Sequence, residues 1–261
     1  MNLEVLVSTM NQINHVSFVE KMNIQTKALI VDQCNDYDYK EFSFKGNKIR
    51  VICCEERGIG LSRNTALMRS ESDLCLFADD DVKFVDGYAD MIIEEFKNNP
   101  SADIIFFNVP STNEERPTAL IEKYKRVRWY NSLKFGAVNI AVKSESIKKS
   151  NVTFSLLFGG GAKYSAGEDS LFILDCLRNN LKAYASPITI GRVSQEDSSW
   201  FNGYTDKYFF DKGIWLANAF PNFKYLLAVY YSFKMKNMAG KSFLPMYKSM
   251  LRGIKNFDER K

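Results

Sequence analysis

The chain has 261 residues, of which 46% are hydrophobic and 25% charged, the balance of an ordinary soluble globular protein. This length accommodates one large α/β domain or two small ones. No run of about 18 uncharged apolar residues occurs, so no membrane-spanning helix is predicted. The start of the chain lacks a basic segment and passes directly into a strand-like run, so no signal peptide is predicted.

The cysteines and the histidine exclude several kinds of site. The five cysteines form neither a disulfide framework nor a zinc motif, and reduced cysteines of this kind favour a cytoplasmic protein. His15 is the single histidine, which excludes a site built from several histidines, and we expect it to be a surface residue without a role.

Charge is spread unevenly along the chain. Residues 224–261 contain nine Lys or Arg against Asp258 and Glu259, a net charge of +7, whereas the whole chain carries +4 and residues 1–223 therefore carry −3. A near-neutral body with a basic tail favours an anionic surface as the partner of the tail.

Strands and helices alternate in the first half of the chain. Ser62 is the predicted N-cap of a helix that follows a glycine-containing turn, and a second, amphipathic helix is predicted over 86–98. Apolar runs predict strands at 3–8, 28–31, 48–53, 74–79 and 104–109. This alternation favours an α/β fold with a mostly parallel sheet covered on both faces.

The second half is less regular. We expect a flexible loop at 159–161, a helix over 170–179 and strands at 135–142 and 183–190. Residues 223–257 then interleave aromatic residues with Lys and Arg. The predicted organisation is one catalytic domain, residues 1–220, followed by a basic, aromatic-rich helical tail, residues 221–261.

Two interpretations of the tail remain open. It is typical of amphipathic basic helices that lie on an anionic membrane surface. It is equally typical of a helical cap on the catalytic domain with a solvated basic face. No nucleic-acid-binding module is recognised, so no nucleic-acid partner is expected.

The most informative stretch is an aspartate triplet, Asp79, Asp80 and Asp81, directly after the apolar run 74–78. The run predicts a buried strand, and ligands of open α/β sheets bind at the carboxyl ends of strands. Three adjacent negative charges repel one another, and a hard divalent cation liganded by carboxylate and phosphate oxygens would remove that cost. A solvated acidic turn is the structural alternative.

Five segments in order resemble the family 2 glycosyltransferases, which have the GT-A fold. The resemblance covers roughly residues 3–215 and is carried by Val7-Ser8-Thr9-Met10-Asn11, Val31-Asp32, residues 57–64, Phe77-Ala78-Asp79-Asp80-Asp81 and Gly167-Glu168-Asp169. It implies a Rossmann-like, mostly parallel mixed sheet flanked by helices, with a C-terminal helical extension. Each segment alone is weak, but their order and spacing are fairly specific.

The resemblance implies a nucleotide-sugar donor, expected to be a UDP-sugar, and assigns residues to it. Thr9 would lie beside the nucleotide, Asp32 would contact the base or ribose, and Arg63 would lie near the base and phosphates. Asp79 and Asp80 are assigned to the donor site. Asp81 would hold Mn²⁺ or Mg²⁺ on the diphosphate.

Asp169 matches the family's general base, which would deprotonate the acceptor hydroxyl while it attacks from the side opposite the leaving diphosphate. Such an attack inverts the anomeric centre. The structural alternative is that Glu168 or Asp169 caps the helix that follows. Glu196, Asp197 and Trp200 could touch the acceptor or the diphosphate, although core packing explains Trp200 equally well.

The implied activity is single-sugar transfer to a saccharide or lipid-linked saccharide acceptor in surface polysaccharide biosynthesis, in the cytoplasm or peripherally on the inner face of the membrane. The Gln-x-x-Arg-Trp motif of processive synthases is missing, and so is the histidine that often follows position 190 in relatives. The alternatives are a non-catalytic nucleotide- or sugar-binding module of the same fold and a haloacid-dehalogenase-like phosphatase. Lys83 argues against the phosphatase, which usually has Thr or Val at that place.

Overall fold

The computed structural model describes residues 1–195 and 203–259. The chain forms two compact units. The first comprises Met1–Leu156 and Glu168–Asp197, and the second comprises Leu157–Gly167 and Ser198–Lys261.

The first unit contains the sheet and the helices that cover it. Its strands are β1 Leu3–Met10, β2 Lys27–Gln33, β3 Asp38–Phe44, β4 Asn47–Cys54, β5 Leu74–Asp79, β6 Val82–Phe84, β7 Ile104–Asn108, β8 Lys125–Val127, β9 Ile140–Lys143, β10 Ala183–Thr189 and β11 Gly191–Val193. Its helices are α1 His15–Lys21, α2 Ile59–Met68, α3 Tyr88–Asn98, α4 Ser144–Ser150 and α5 Glu168–Arg178.

A nine-stranded mixed sheet organises the described part of this unit, in the order β3-β4-β2-β1-β5-β9-β7-β10-β8. The four strands β4, β2, β1 and β5 are parallel, whereas β9 runs antiparallel between β5 and β7. A separate antiparallel pair joins β6 to β11. The predicted α/β class and mixed, mostly parallel sheet flanked by helices are confirmed.

The core lies on both faces of the sheet. Along β1, Val5 and Val7 belong to one apolar cluster, while Leu6 points to the other face with Leu29 and Phe77. Strands buried on both faces consist of nearly continuous apolar residues, which explains why 3–8, 28–31 and 74–79 were predictable as strands.

The prediction that Ser62 caps a helix is wrong. Helix α2 begins at Ile59 after Gly58, whose φ of 129° lies in the region that favours glycine. Ser62 therefore lies one turn inside the helix, where it is buried and its hydroxyl donates to the Ser8 hydroxyl at 2.9 Å. This contact fastens α2 to the end of β1, beside the predicted donor site.

The predicted strand at 135–142 is shorter than expected. A 3₁₀ turn occupies Ala137–Asn139, and β9 starts only at Ile140. The Asn139 side chain accepts a hydrogen bond from the Gly136 backbone N–H at 3.1 Å, which closes the turn and delays the strand.

The second unit is helical in its described residues: α6 Asp206–Ala219, α7 Lys224–Lys234, α8 Lys236–Ala239 and α9 Phe243–Asp258. Helices α6 and α9 pack closely against each other at two glycines, Gly213 of α6 and Gly253 of α9. A Cβ at Gly213 would overlap the Met250 carbonyl, and one at Gly253 would overlap the Phe210 carbonyl. The helical tail is thus packed against α6, and the domain boundary at residue 220 stays a prediction.

Across the described ranges, no helix combines the length and the hydropathy needed to cross a bilayer.

Candidate active site

The aspartate triplet lies where the sequence predicts it, at the carboxyl end of a buried strand. Asp79 is the last residue of β5 and lies opposite Ser8 of β1, while Asp80 and Asp81 form the turn into β6. Thr9 lies near the carboxyl end of the neighbouring strand β1, and its hydroxyl donates a hydrogen bond to Asp80 Oδ2 at 2.7 Å. The first predicted donor residue and the triplet are therefore in direct contact.

Asp81 is held by the backbone of the segment after β11. The N–H of Gln195 donates to Asp81 Oδ2 at 3.1 Å, and the N–H of Ser194 donates to the Asp81 carbonyl at 3.2 Å. These bonds orient a single carboxylate at the position assigned to the metal.

Burial raises the pKa of both Asp80 and Asp81 above the usual range. The charge of Asp79 raises both pKa values further, whereas the hydrogen bonds from Thr9 and Gln195 oppose the rise. Unfavourable negative charge of this kind is what a hard divalent cation relieves, and carboxylate oxygens are the donors that Mg²⁺ and Mn²⁺ accept. The residues present therefore fit the metal that the family resemblance implies.

The triplet does not converge as a three-carboxylate cage. Within residues 1–195 and 203–259, the only three metal-ligating side chains whose ligand atoms lie within 4.8 Å of one another are those of His15, Asp32 and Cys53. A cation at Asp81 would therefore need ligands from the substrate. The His15–Asp32–Cys53 set combines imidazole, carboxylate and thiol, a donor set that suits zinc better than magnesium.

Asp32 is a buried acceptor at the end of β2. The Gln12 backbone N–H donates to both of its carboxylate oxygens, at 3.3 and 3.1 Å, and His15 Nε2 lies 3.0 Å from Oδ2. Gln12 also donates from its side chain to the Thr9 hydroxyl at 2.7 Å, so the loop after β1 connects two of the predicted donor residues. His15 is thus half-buried against Asp32 rather than on the surface as expected, and its lack of a role stays a prediction.

Arg63 joins the two acidic parts of the site. Its guanidinium donates from Nη2 to Asp79 Oδ1 and from Nη1 to Glu168 Oε1, both at 2.8 Å, and its side chain is only 4% exposed. The two carboxylates raise its pKa against the effect of burial, so the group stays charged. With both Nη groups engaged, Arg63 positions carboxylates in this structure, and its contact with the nucleotide stays a prediction.

Asp169 lies in the first turn of α5, directly after Glu168. Its Oδ1 accepts the Ser170 backbone N–H at 2.6 Å. Burial and the charge of Glu168 raise the pKa of Asp169 to about 7, while Arg63 lowers it. A carboxyl group that titrates near neutrality is suited to accept a proton, because general bases work best with a pKa near the operating pH.

Glu168 forms an ion pair with Arg63. The residues that the sequence interpretation missed are Gln12, His15 and Glu168. The signals available were weak: a lone histidine in the first loop and an acid beside the predicted base. Glu196, Asp197 and Trp200 lie outside the described residues.

Comparison with known proteins finds one similar family. Residues 26–149 match the family model described as glycosyl transferase family 2. The sequence matches no curated protein.

Solved structures of S. aureus TarS share the fold at low identity. TarS 1-349 in complex with UDP-GlcNAc has a TM-score of 0.68 at 15% identity, with 98% of this chain and 80% of that chain covered. TarS 1-349 in complex with UDP has a TM-score of 0.61 at 15% identity, with 91% of this chain and 72% of that chain covered. Another structure of S. aureus TarS has a TM-score of 0.62 at 15% identity. That match covers 92% of this chain but only 44% of the TarS chain. The chain is therefore similar to glycosyl transferase family 2 over residues 26–149, and it is similar to the TarS structures in fold.

Proposed function

We propose that the protein transfers one sugar from a UDP-sugar to a saccharide or lipid-linked saccharide acceptor, with inversion and with a divalent cation. The observation that carries the proposal is the pair of hydrogen bonds that Arg63 donates to Asp79 and Glu168. Through them one buried guanidinium contacts both the end of β5 and the residue beside Asp169. UDP-GlcNAc and UDP in the TarS structures support a uridine nucleotide as the carrier.

Donor binding is assigned to the ends of β1, β2 and β5. Asp32, oriented by Gln12 and His15, would accept hydrogen bonds from the base or ribose. Thr9, Asp79 and Asp80 would line the ribose and diphosphate. Mn²⁺ or Mg²⁺ bound at Asp81 would stabilise the negative charge that develops on the leaving diphosphate.

The chemical step needs a proton acceptor on the acceptor side. Asp169 would remove the proton from the attacking hydroxyl, a contribution of typically ~10²–10⁴-fold. Arg63 would keep the Asp169 pKa from rising further and so maintain the ionised form near neutral pH. An α-linked donor would then give a β-linked product.

The biological setting is also part of the proposal. Transfer of a single sugar to a lipid-linked acceptor suits surface polysaccharide biosynthesis at the cytoplasmic face of a membrane. The non-catalytic binding module remains the competing function, and the transfer assay on the native chain distinguishes it.

The test is product formation from radiolabelled UDP-sugars with Mn²⁺, for the native chain and for Asp169→Asn, with UDP affinity measured in parallel. The proposal predicts transfer by the native chain and loss of transfer with retained UDP binding in the variant. Equal turnover in both proteins would exclude Asp169 as the base, and UDP binding without transfer of any sugar would favour the binding module.

A further inference from the structure

Helix α7 presents an apolar face to solvent. Four residues form what we call the outer stripe: Phe223, Leu226, Tyr230 and Phe233, with 58%, 67%, 53% and 64% of their surfaces exposed. Their spacing of three and four residues places them along one side of the helix.

The outer stripe lies opposite the side of α7 that is packed. Ala228 and Ser232 are fully buried, and at 100° per residue they lie on the far side of the helix from Leu226 and Phe233. A surface helix normally presents polar residues opposite its buried face. Helix α7 is instead apolar on both sides, and large exposed apolar patches mark interaction sites.

The apolar surface continues beyond α7. The rings of Phe233 and Phe243 lie 4.5 Å apart, which joins the outer stripe to the start of α9. Leu244 beside Phe243 is 55% exposed, and Met238 in α8 is 64% exposed. The ring contact therefore extends the outer stripe from α7 to α9.

The charge around this surface is mostly positive, although Lys224 pairs with Asp258 and Arg252 pairs with Asp206. Residues 212–257 contain eight Lys or Arg and no Asp or Glu. Lys234 Nζ lies 5.8 Å from the centre of the Tyr230 ring, at the margin of the outer stripe. Five lysines of this region are solvent-exposed in the described structure: Lys234, Lys236, Lys241, Lys248 and Lys255.

We propose that the outer stripe and its lysines dock the second unit onto the surface of an anionic lipid bilayer, with α7 lying in the interface plane. Aromatic and aliphatic residues would enter the headgroup boundary while the lysines contact anionic headgroups. A second copy of the chain is a poorer occupant. A two-fold contact would set the same predominantly basic surfaces against each other.

This inference rests on the proposed function only for its consequence, since docking would bring a lipid-linked acceptor to the enzyme. The docking itself needs neither donor nor catalysis. Its failure is therefore distinguishable from failure of the proposed function, because UDP binding and lipid binding are measured separately.

The test is co-flotation of the full chain with vesicles of phosphatidylcholine alone or with about one third phosphatidylglycerol. We expect binding to the anionic vesicles, weakened by added salt, and little binding to the neutral ones. Leu226→Ser with Phe233→Ser should lower the affinity at least tenfold. Changing Lys234, Lys236, Lys241 and Lys248 to Gln should lower it by about fivefold for each charge removed.

The matched control is Met68→Ser with Leu120→Ser, which removes two apolar side chains of comparable exposure from the first unit. The control should float like the native chain, and circular dichroism should show both double variants folded. Absence of binding to anionic vesicles, or equal binding by the stripe variant, would overturn the inference. A dimer in solution that the stripe variant dissociates would also overturn it, in favour of a second copy as the occupant.

Discussion

Arg63 donates a 2.8 Å hydrogen bond to Glu168, 105 positions further along the chain. Because the same guanidinium also holds Asp79, helix α2 connects the strand that carries the aspartate triplet to the helix that carries Asp169. The distance between donor-binding and base residues is thus set by one buried side chain.

Replacing Arg63 by Met should damage both stability and catalysis. Removing one partner of a buried ion pair leaves uncompensated charge and typically costs about 3–5 kcal/mol. The loss of a nearby positive charge should also raise the pKa of Asp169 and move the acid limb of the kcat/KM profile to higher pH. The measurements are thermal unfolding and a pH–rate profile.

The control is Arg178→Met, which removes an exposed pair with Asp175 on α5 and should cost at most about 1 kcal/mol. An unchanged pH profile in Arg63→Met would contradict the electrostatic link between Arg63 and the base.

Asp169 should control the pH dependence of transfer. The base must be ionised, so kcat/KM should fall as the pH drops below about 7, the pKa that burial and Glu168 give this carboxyl group. Asp169→Asn should reduce kcat by ~10²–10⁴-fold with little change in donor affinity. Asp175→Asn, on the exposed face of the same helix, should leave transfer unchanged.

The same carboxyl should affect stability with a defined sign. Because its pKa is raised in the folded chain from 3.8 to about 7, its favourable contribution to folding is fully present below the unfolded pKa. The contribution is lost as the pH rises toward 7. The Tm of Asp169→Asn should therefore rise relative to that of the native chain as the pH increases from 5 to 8. A Tm difference that stays constant across that range would contradict the raised pKa of Asp169.

Asp32 and His15 should determine nucleotide affinity. Asp32→Asn keeps the shape of the side chain but removes the charge of the carboxylate that contacts Gln12 and His15. UDP should then bind about tenfold more weakly, because a charge-assisted hydrogen bond to the nucleotide is lost. His15→Ala should weaken binding less, since it only orients the carboxylate. Calorimetric titration with UDP measures both, and equal affinity in Asp32→Asn would place the nucleotide elsewhere.

The glycines between α6 and α9 should be intolerant of any side chain. Gly253→Ala would force the two helices apart, because the added Cβ overlaps the Phe210 carbonyl, and overpacking of this kind costs about 1–3 kcal/mol. Gly240→Asn is the control: its φ of 59° suits Asn, and open space surrounds it. Thermal unfolding should show a loss only for Gly253→Ala.

The buried strands were predictable because each one consists of apolar residues on both faces. Helix α1 was not, since only Phe18 and Val19 of its seven residues are buried. Strand β3 is an edge strand with mostly exposed side chains, and its sequence lacks an apolar run.

The aspartate triplet was predictable for the same local reason, since it directly ends an apolar run. The contacts of His15 with Asp32 and of Arg63 with Glu168 depend on how distant segments fold together, which no local pattern encodes. Asn11 shows the difficulty: its φ of 55° turns the loop that brings Gln12 and His15 to Asp32.

The central claim is that Asp81 holds a divalent cation that binds the donor diphosphate. Calorimetric titration of UDP with and without Mn²⁺ tests it directly, with Asp81→Asn and the exposed Asp90→Asn as a matched pair. Manganese should strengthen UDP binding at least tenfold in the native chain and in Asp90→Asn, but not in Asp81→Asn. UDP binding that is indifferent to manganese in the native chain, or equally strengthened in Asp81→Asn, would contradict the account.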